Sequence, residues 1–181
     1  MKDFTHLMVD IETMGNQSYS AIVSIGAVYF DLQTGETGDS FYQTIDLQSS
    51  MDAGLKAQAD TILWWMNKSE EARKELIDPN RVRLEVGLQR FSSFCSKEVE
   101  IWGNSARFDL GLLQNAYNLL SMPIPWNFRK ERCVRTLVSF REDIKDNWSH
   151  PGTVHNALGD CYNQIGYCAA IYQAIAEKEF A

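Results

Sequence analysis

The chain has 181 residues, 45% hydrophobic and 23% charged, with a formal net charge of −7. That balance opposes a surface that wraps long duplex nucleic acid; any such contact is short, or divalent cations supply its positive charge. No run approaches the roughly 18 apolar residues needed to cross a bilayer, and Cys95, Cys133, Cys161 and Cys168 show neither a CxxC pair nor metal-ligand spacing. The length fits one domain, 1–181, with a sizeable core. Acids and a His interrupt the first twelve residues, so no apolar signal segment is read there and a cytoplasmic protein is expected.

Residues 5–10 form an apolar run that predicts a strand buried on both faces. It leads into Asp10-Ile11-Glu12-Thr13, where two acids stand two residues apart. Positions i and i+2 of a strand share a face, so the two carboxylates project together from the end of a central strand. Like charges that close cost free energy unless something positive lies between them. Taken alone, the pair also fits a solvated strand end. Residues 14–20 read as a polar turn containing Gly15, and 21–30 as a second strand rich in β-branched and aromatic residues. A hairpin-like 31–35 precedes a third strand over 40–45, so the chain opens as an antiparallel meander.

Helical composition follows over 53–66 and 69–77, with Ser69 as an N-cap and Glu70 and Glu71 in the first turn. Asp78-Pro79-Asn80 is a break. Residues 82–95 carry helical spacing, 98–102 a short strand ended by Gly103-Asn104, and 108–120 an amphipathic helix stopped at Pro123. A fifth strand over 131–134, a short helix over 135–141, a polar loop over 146–153 and a long helix over 157–178 complete the chain. Cys161 and Cys168, seven apart on that helix, read as core packing, and His6 and His150 as structural. A meander followed by β-α-β alternation predicts an α/β fold: one five-stranded mixed sheet flanked by helices.

Two further acids stand at places where α/β sheets gather ligands, strand ends that lead into helices. Asp109 follows a small-residue turn and enters a helix; Asp160 lies about one turn inside the long helix, with His155 at its mouth. Singly, Asp109 fits a residue complementing a helix dipole, Asp160 an exposed helix position and His155 a surface histidine. Together with Asp10 and Glu12 they can converge on one pocket. Four carboxylates suit hard divalent cations, Mg²⁺ or Mn²⁺.

Asp10-Ile11-Glu12-Thr13, Asn104-x3-Phe108-Asp109 and His155-x-Ala157-Leu158-x-Asp160 stand in the order and setting of three exonuclease motifs. On these residues, from Val9 to about Tyr167, the chain resembles the DEDDh 3′–5′ exonuclease superfamily. Trp64-Trp65 and the compact length resemble its small branch of phage-type exodeoxyribonucleases and a mycobacterial exoribonuclease. Met14 and Gly159 depart from many relatives, and neither removes a ligand. The resemblance implies a ribonuclease H-like fold and phosphodiester hydrolysis from 3′ ends, with release of nucleoside 5′-monophosphates. It implies two cations, which in such sites lie about 3.5–4 Å apart. They would be held by Asp10, Glu12, Asp109 and Asp160, with Asp10 bridging and His155 as general base. An imidazole ordinarily titrates near about 6.5, which suits that task.

The resemblance further implies that the backbone of Thr13, Met14 and Gly15 reaches the terminal 3′-hydroxyl. Adjacent helical residues point about 100° apart, so only one of Trp64 and Trp65 can face a terminal base; Trp65 is preferred, with Phe108 closing the opposite side. Arg129, Lys130, Arg132 and Arg135 form the densest basic stretch, read equally as phosphate contacts or a solvated edge. Single-stranded DNA is the favoured substrate. RNA ends or short oligonucleotides are the alternative, since nothing reads the 2′-hydroxyl, and a catalytically silent module binding nucleic-acid 3′ ends is a third reading. No membrane partner is expected; a homodimer is left open.

Overall fold

The computed structural model describes residues 4–149 and 155–179; His150 and the last part of the predicted 146–153 loop lie outside these. Five strands form one mixed sheet: β1 (His6–Thr13), β2 (Ile22–Phe30), β3 (Thr37–Thr44), β4 (Glu100–Gly103) and β5 (Glu131–Cys133). Their order is β3-β2-β1-β4-β5, with β1 at the centre. The meander supplies the antiparallel half, β1 on β2 and β2 on β3; β4 and β5 add in parallel. The sheet and its flanking helices make a ribonuclease H-like α/β fold.

The alternation of β1 decides the two layers. Leu7, Val9 and Ile11 enter the larger core, covered by α4 (Leu84–Phe94) and α5 (Asp109–Leu119). Met8 points the other way, into a smaller core closed by Cys161, Ile165, Cys168 and Ile171 of α8 (Ala157–Glu179) and by Val134. Asp10 and Glu12 continue the face of Met8, so period two carries both acids to the α8 side. The strand runs on to Thr13, beyond its predicted end, and the register slips between Glu12 and Thr13, at its mouth.

The predicted helix over 53–66 is a correction. The chain forms α1 (Leu47–Asp52) and α2 (Ala59–Met66), separated by an extended segment. Asp46 caps α1 by accepting from the Ser49 backbone N–H at 2.8 Å. Gly54 then turns the chain at φ +105°, a conformation open to glycine and disfavoured for other residues. Lys56 bridges to Ser20 before α2 begins. α3 (Glu70–Ile77) starts at the predicted cap, with Ser69 Oγ accepting from the Ala72 N–H. α6 (Val134–Val138) is shorter than expected, and α7 (Glu142–Asp146) fills residues between the predicted short helix and polar loop, ending on the first residue of that loop; Arg141 grips Asp143 at 2.7 and 2.8 Å.

His6 is structural as expected, with Nδ1 accepting from Trp102 Nε1 at 3.1 Å. Cys161 and Cys168 are fully buried. Among the described residues no helix is long and apolar enough to cross a membrane.

Candidate active site

β1 delivers Asp10 and Glu12 to the α8 face, and α8 arrives there through a specific accommodation. Gly26 of β2 is the register partner of Asp10. A Cβ at Gly26 would lie 2.5 Å from the carbonyl carbon and oxygen of Ala157 and 2.6 Å from the Leu158 nitrogen. The first turn of α8 therefore rests on bare backbone, which brings Asp160 and His155 over the sheet. Glycine inside a strand often marks such an approach. We expect Gly26→Ala to lift that turn and lower kcat about 100-fold, since displacing a catalytic group by about 1 Å has that effect. Steady-state kinetics, with circular dichroism to verify folding, would measure it.

A ligand atom from each of Glu12, His155 and Asp160 lies within 4.8 Å of the other two. Asp10 is buried beside Asp109, Glu12 and Asp160; burial first, then these charges, hold its carboxyl well above the ordinary range. Burial and nearby Glu75, Asp160 and Asp109 do the same to Glu12. Asp109 is pushed up to about 6 by burial, against backbone N–H groups and the Arg135 charge. Its Oδ2 accepts from the Ser105 N–H at 2.9 Å. Gly103 lets it sit tight on the end of β4, where a Cβ would meet Asp109 Cβ at 3.0 Å. The five residues expected from the motifs thus lie close together: Glu12, His155 and Asp160 meet within 4.8 Å, and Asp10 and Asp109 are near enough for their charges to act on these acids.

This donor set is four carboxylates and one imidazole. Gln164, one turn after Asp160, donates from Nε2 to Asp10 Oδ1 at 2.8 Å. Its own Oε1 is buried without a hydrogen-bond partner among the described residues. Crowded, destabilised carboxylates with an orphaned oxygen beside them fit hard divalent cations.

His155 holds a backbone φ of +65°. For a non-glycine residue the left-handed region costs roughly 1–2 kcal/mol, so its surroundings must hold it there. Its ring packs edge-on against Trp64 at 4.7 Å. Trp64 is exposed, while Trp65 is 1% exposed and donates from Nε1 to the Thr13 carbonyl at 3.0 Å. The preference for Trp65 as a base-stacking surface is therefore corrected: that indole fills the core and props the end of β1. Trp64 is the ring turned outward, with Lys68 4.0 Å above its face.

Thr13 and Met14 are buried, and their backbones are partly engaged: Thr13 O by Trp65, Met14 N–H by Ala21 O at 2.8 Å, Met14 O by the Gln58 N–H at 2.7 Å. Thr13 Oγ1 donates to Gly15 O at 2.6 Å. Phe108 is half-buried against the larger core. Of the basic stretch, Lys130 pairs with Glu98 at 2.9 Å and Arg132 with Glu100 at 3.1 Å. Arg129 lies over the exposed ring of Phe128, and Arg135 is the one whose charge reaches the acid cluster, through Asp109. Gln164 and Glu75 were not singled out from the sequence. Gln164 carried a signal, its spacing of four from Asp160 on one helix face; Glu75 carried none.

Comparison with known proteins gives the family and the fold. The family model described as the 3′–5′ exoribonuclease Rv2179c-like domain matches residues 5–172. An exodeoxyribonuclease of phage T4 is 23% identical over 194 residues, covering 87% of this chain and 85% of the phage protein. The chain is similar in fold to the zinc-bound E. coli ExoI–ssDNA complex, with TM-score 0.69 and 17% identity over 96% of this chain, though it spans only 41% of that one. It is also similar to the nuclease domain of 3′hExo, a DEDDh family member bound to rAMP, with TM-score 0.60 and 15% identity over 93% of this chain and 92% of that one.

Proposed function

Because the chain belongs to the Rv2179c-like 3′–5′ exoribonuclease domain family and is a 3′–5′ exonuclease of the DEDDh type, we propose that it removes nucleoside 5′-monophosphates from 3′ ends with the help of two divalent cations. The observation that carries this reading is the meeting of Glu12, His155 and Asp160 within 4.8 Å beside buried Asp10 and Asp109. Asp10, Glu12, Asp109 and Asp160 would hold the ions, Mg²⁺ or Mn²⁺. When bound, such ions activate water and relieve the leaving oxygen of charge. The chain's own residues do the rest. His155 takes the proton of the attacking water on a ring nitrogen. Gln164 Nε2 fixes the Asp10 carboxylate from behind. Trp64, exposed beside His155 with Lys68 over its ring, is the indole a terminal base can reach.

Single-stranded DNA is our favoured substrate. It is supported by the name of the phage relative and by the ssDNA held in the E. coli ExoI complex. RNA is the second reading, favoured by the description of the family. The test is one product-resolved digestion series with Mn²⁺, using matched 3′- and 5′-labelled DNA, RNA and dinucleotides. Mononucleotides released stepwise from DNA 3′ ends, faster than from RNA, are expected. Faster release from RNA would overturn the sugar assignment, and tight binding with no mononucleotide product would overturn the hydrolytic one.

A further inference from the structure

Among the described residues, one buried carboxylate takes no part in the catalytic machinery described above. Glu75, on α3, is 5% exposed, and burial raises its carboxyl above the ordinary range. It has found partners on three other elements. Ser24 of β2 donates to Oε2 at 2.6 Å. Tyr42 of β3 lies beside it, and burial with the neighbouring Glu75 charge pushes the tyrosine hydroxyl up. Asn156, at the entry to α8, gives its amide to Oε1 through a short hydrogen bond. The sheet register explains why they meet. Ser24 is opposite both Glu12 and Thr44, and Gly26 is opposite both Asp10 and Tyr42. These rows share one face, so α3 closes the same face that α8 occupies, beside the acids.

Asn156 links this network to the chemistry. Its side-chain oxygen accepts from the Gly159 N–H at 2.9 Å, and its carbonyl accepts from the Asp160 N–H at 2.8 Å. It therefore caps the turn that presents Asp160, and it directly follows His155 with its left-handed backbone. Such a backbone persists only where neighbouring structure over-determines it.

We propose that Glu75 is a positioning residue for the exonuclease reaction: through Asn156 it clamps the entry of α8 to α3 and β2 and so fixes the placement of His155 and Asp160. The proposal rests on the hydrolytic reading. Glu75 acts as a hydrogen-bond acceptor in this role, not as a ligand or a base, and its formal charge is dispensable. Gln at position 75 keeps one oxygen for Asn156 and can donate its amide to Ser24 Oγ.

The test uses the full chain, with purified wild type, Glu75→Gln, Glu75→Ala, Asn156→Ala and the double alanine variant. Folding is verified by circular dichroism, activity on a labelled oligonucleotide is measured as kcat and KM, and Mg²⁺ affinity is measured by calorimetry. Each single alanine variant is expected to lose about 10–100-fold in kcat and to bind Mg²⁺ more weakly, as when groups that orient ligands are removed, with KM unchanged. The double variant should lose no more than either single, because both break one clamp. Glu75→Gln should restore most of the rate. Wild-type kcat in Asn156→Ala, multiplicative losses in the double variant, or weakened Mg²⁺ binding in Glu75→Gln would each overturn the proposal. If Glu75→Ala does not fold, Asn156→Ala and Glu75→Gln decide it. An inactive wild-type protein would count against the hydrolytic reading instead, so the two failures are distinct.

Discussion

His155→Ala is expected to lower kcat by about 10²–10⁴-fold, the usual contribution of a positioned general base, while Mg²⁺ still binds with near wild-type affinity. The geometry separates these two readouts. Four carboxylates remain to hold cations when the imidazole is removed. The imidazole nevertheless faces the same space, with a ring nitrogen within 4.8 Å of carboxylate oxygens of Glu12 and Asp160. It is held there by a φ of +65° and by the ring of Trp64. Kinetics on an end-labelled oligonucleotide and calorimetric Mg²⁺ titration would be run on the same preparation. Wild-type turnover would sink the base assignment. Unchanged chemistry at saturating metal, with a large loss of affinity, would make His155 a ligand instead.

Asp10→Asn should have two effects of opposite sign. Turnover should fall about 10³-fold or more, because Asp10 is one of the four carboxylates that would hold the cations and electrostatic stabilisation of several kcal/mol corresponds to that factor. Stability of the cation-free protein should rise. Asp10 is 9% exposed, and its carboxyl is held well above the ordinary range by burial and by Asp109, Glu12 and Asp160. A carboxyl whose folded-state pKa is raised favours folding at low pH and loses that advantage as pH rises through the folded value. At neutral pH the wild-type cluster therefore costs stability, and amide replacement relieves it; for a chain this size each kcal/mol moves Tm by about 2–4 °C. The gain should shrink as pH falls and the wild-type acids become protonated. Added Mg²⁺ should raise Tm in the wild type and do little in the variant. Thermal melts at two pH values, with and without Mg²⁺, would measure all of this. A variant less stable than wild type without cations would show that the acids do not repel one another as inferred.

How much of this could be read in advance differs from element to element. Asp10 and Glu12 were placed on one face by the period of a strand alone, and the structure carries that face to α8 because Leu7, Val9 and Ile11 take the other side. The helix start bearing Asp109 was marked by the small-residue turn before it, and the one bearing Asp160 by His155 at its mouth. The helix predicted over 53–66 failed because Ala, Leu and Gln composition outweighed Gly54, whose positive φ breaks the segment. The two tryptophans show a different limit. Their divergence follows from helix geometry, but which one turns inward depends on the Thr13 carbonyl, 52 positions away along the chain, which accepts from Trp65.

Local patterning was enough for the strands and the mixed sheet, because strand alternation and helix starts are properties of a few consecutive residues; the set of five was read from three motifs that resemble those of the DEDDh superfamily. The support around them came only with the folded chain. Gly26 beneath Ala157, Gln164 behind Asp10, and Glu75 joined to Asn156 are contacts between side chains or backbone 81 to 154 positions apart in the last two cases. No nearby residue records such a partner. Packing chooses it, by bringing together whichever buried polar groups can satisfy one another when the layers close.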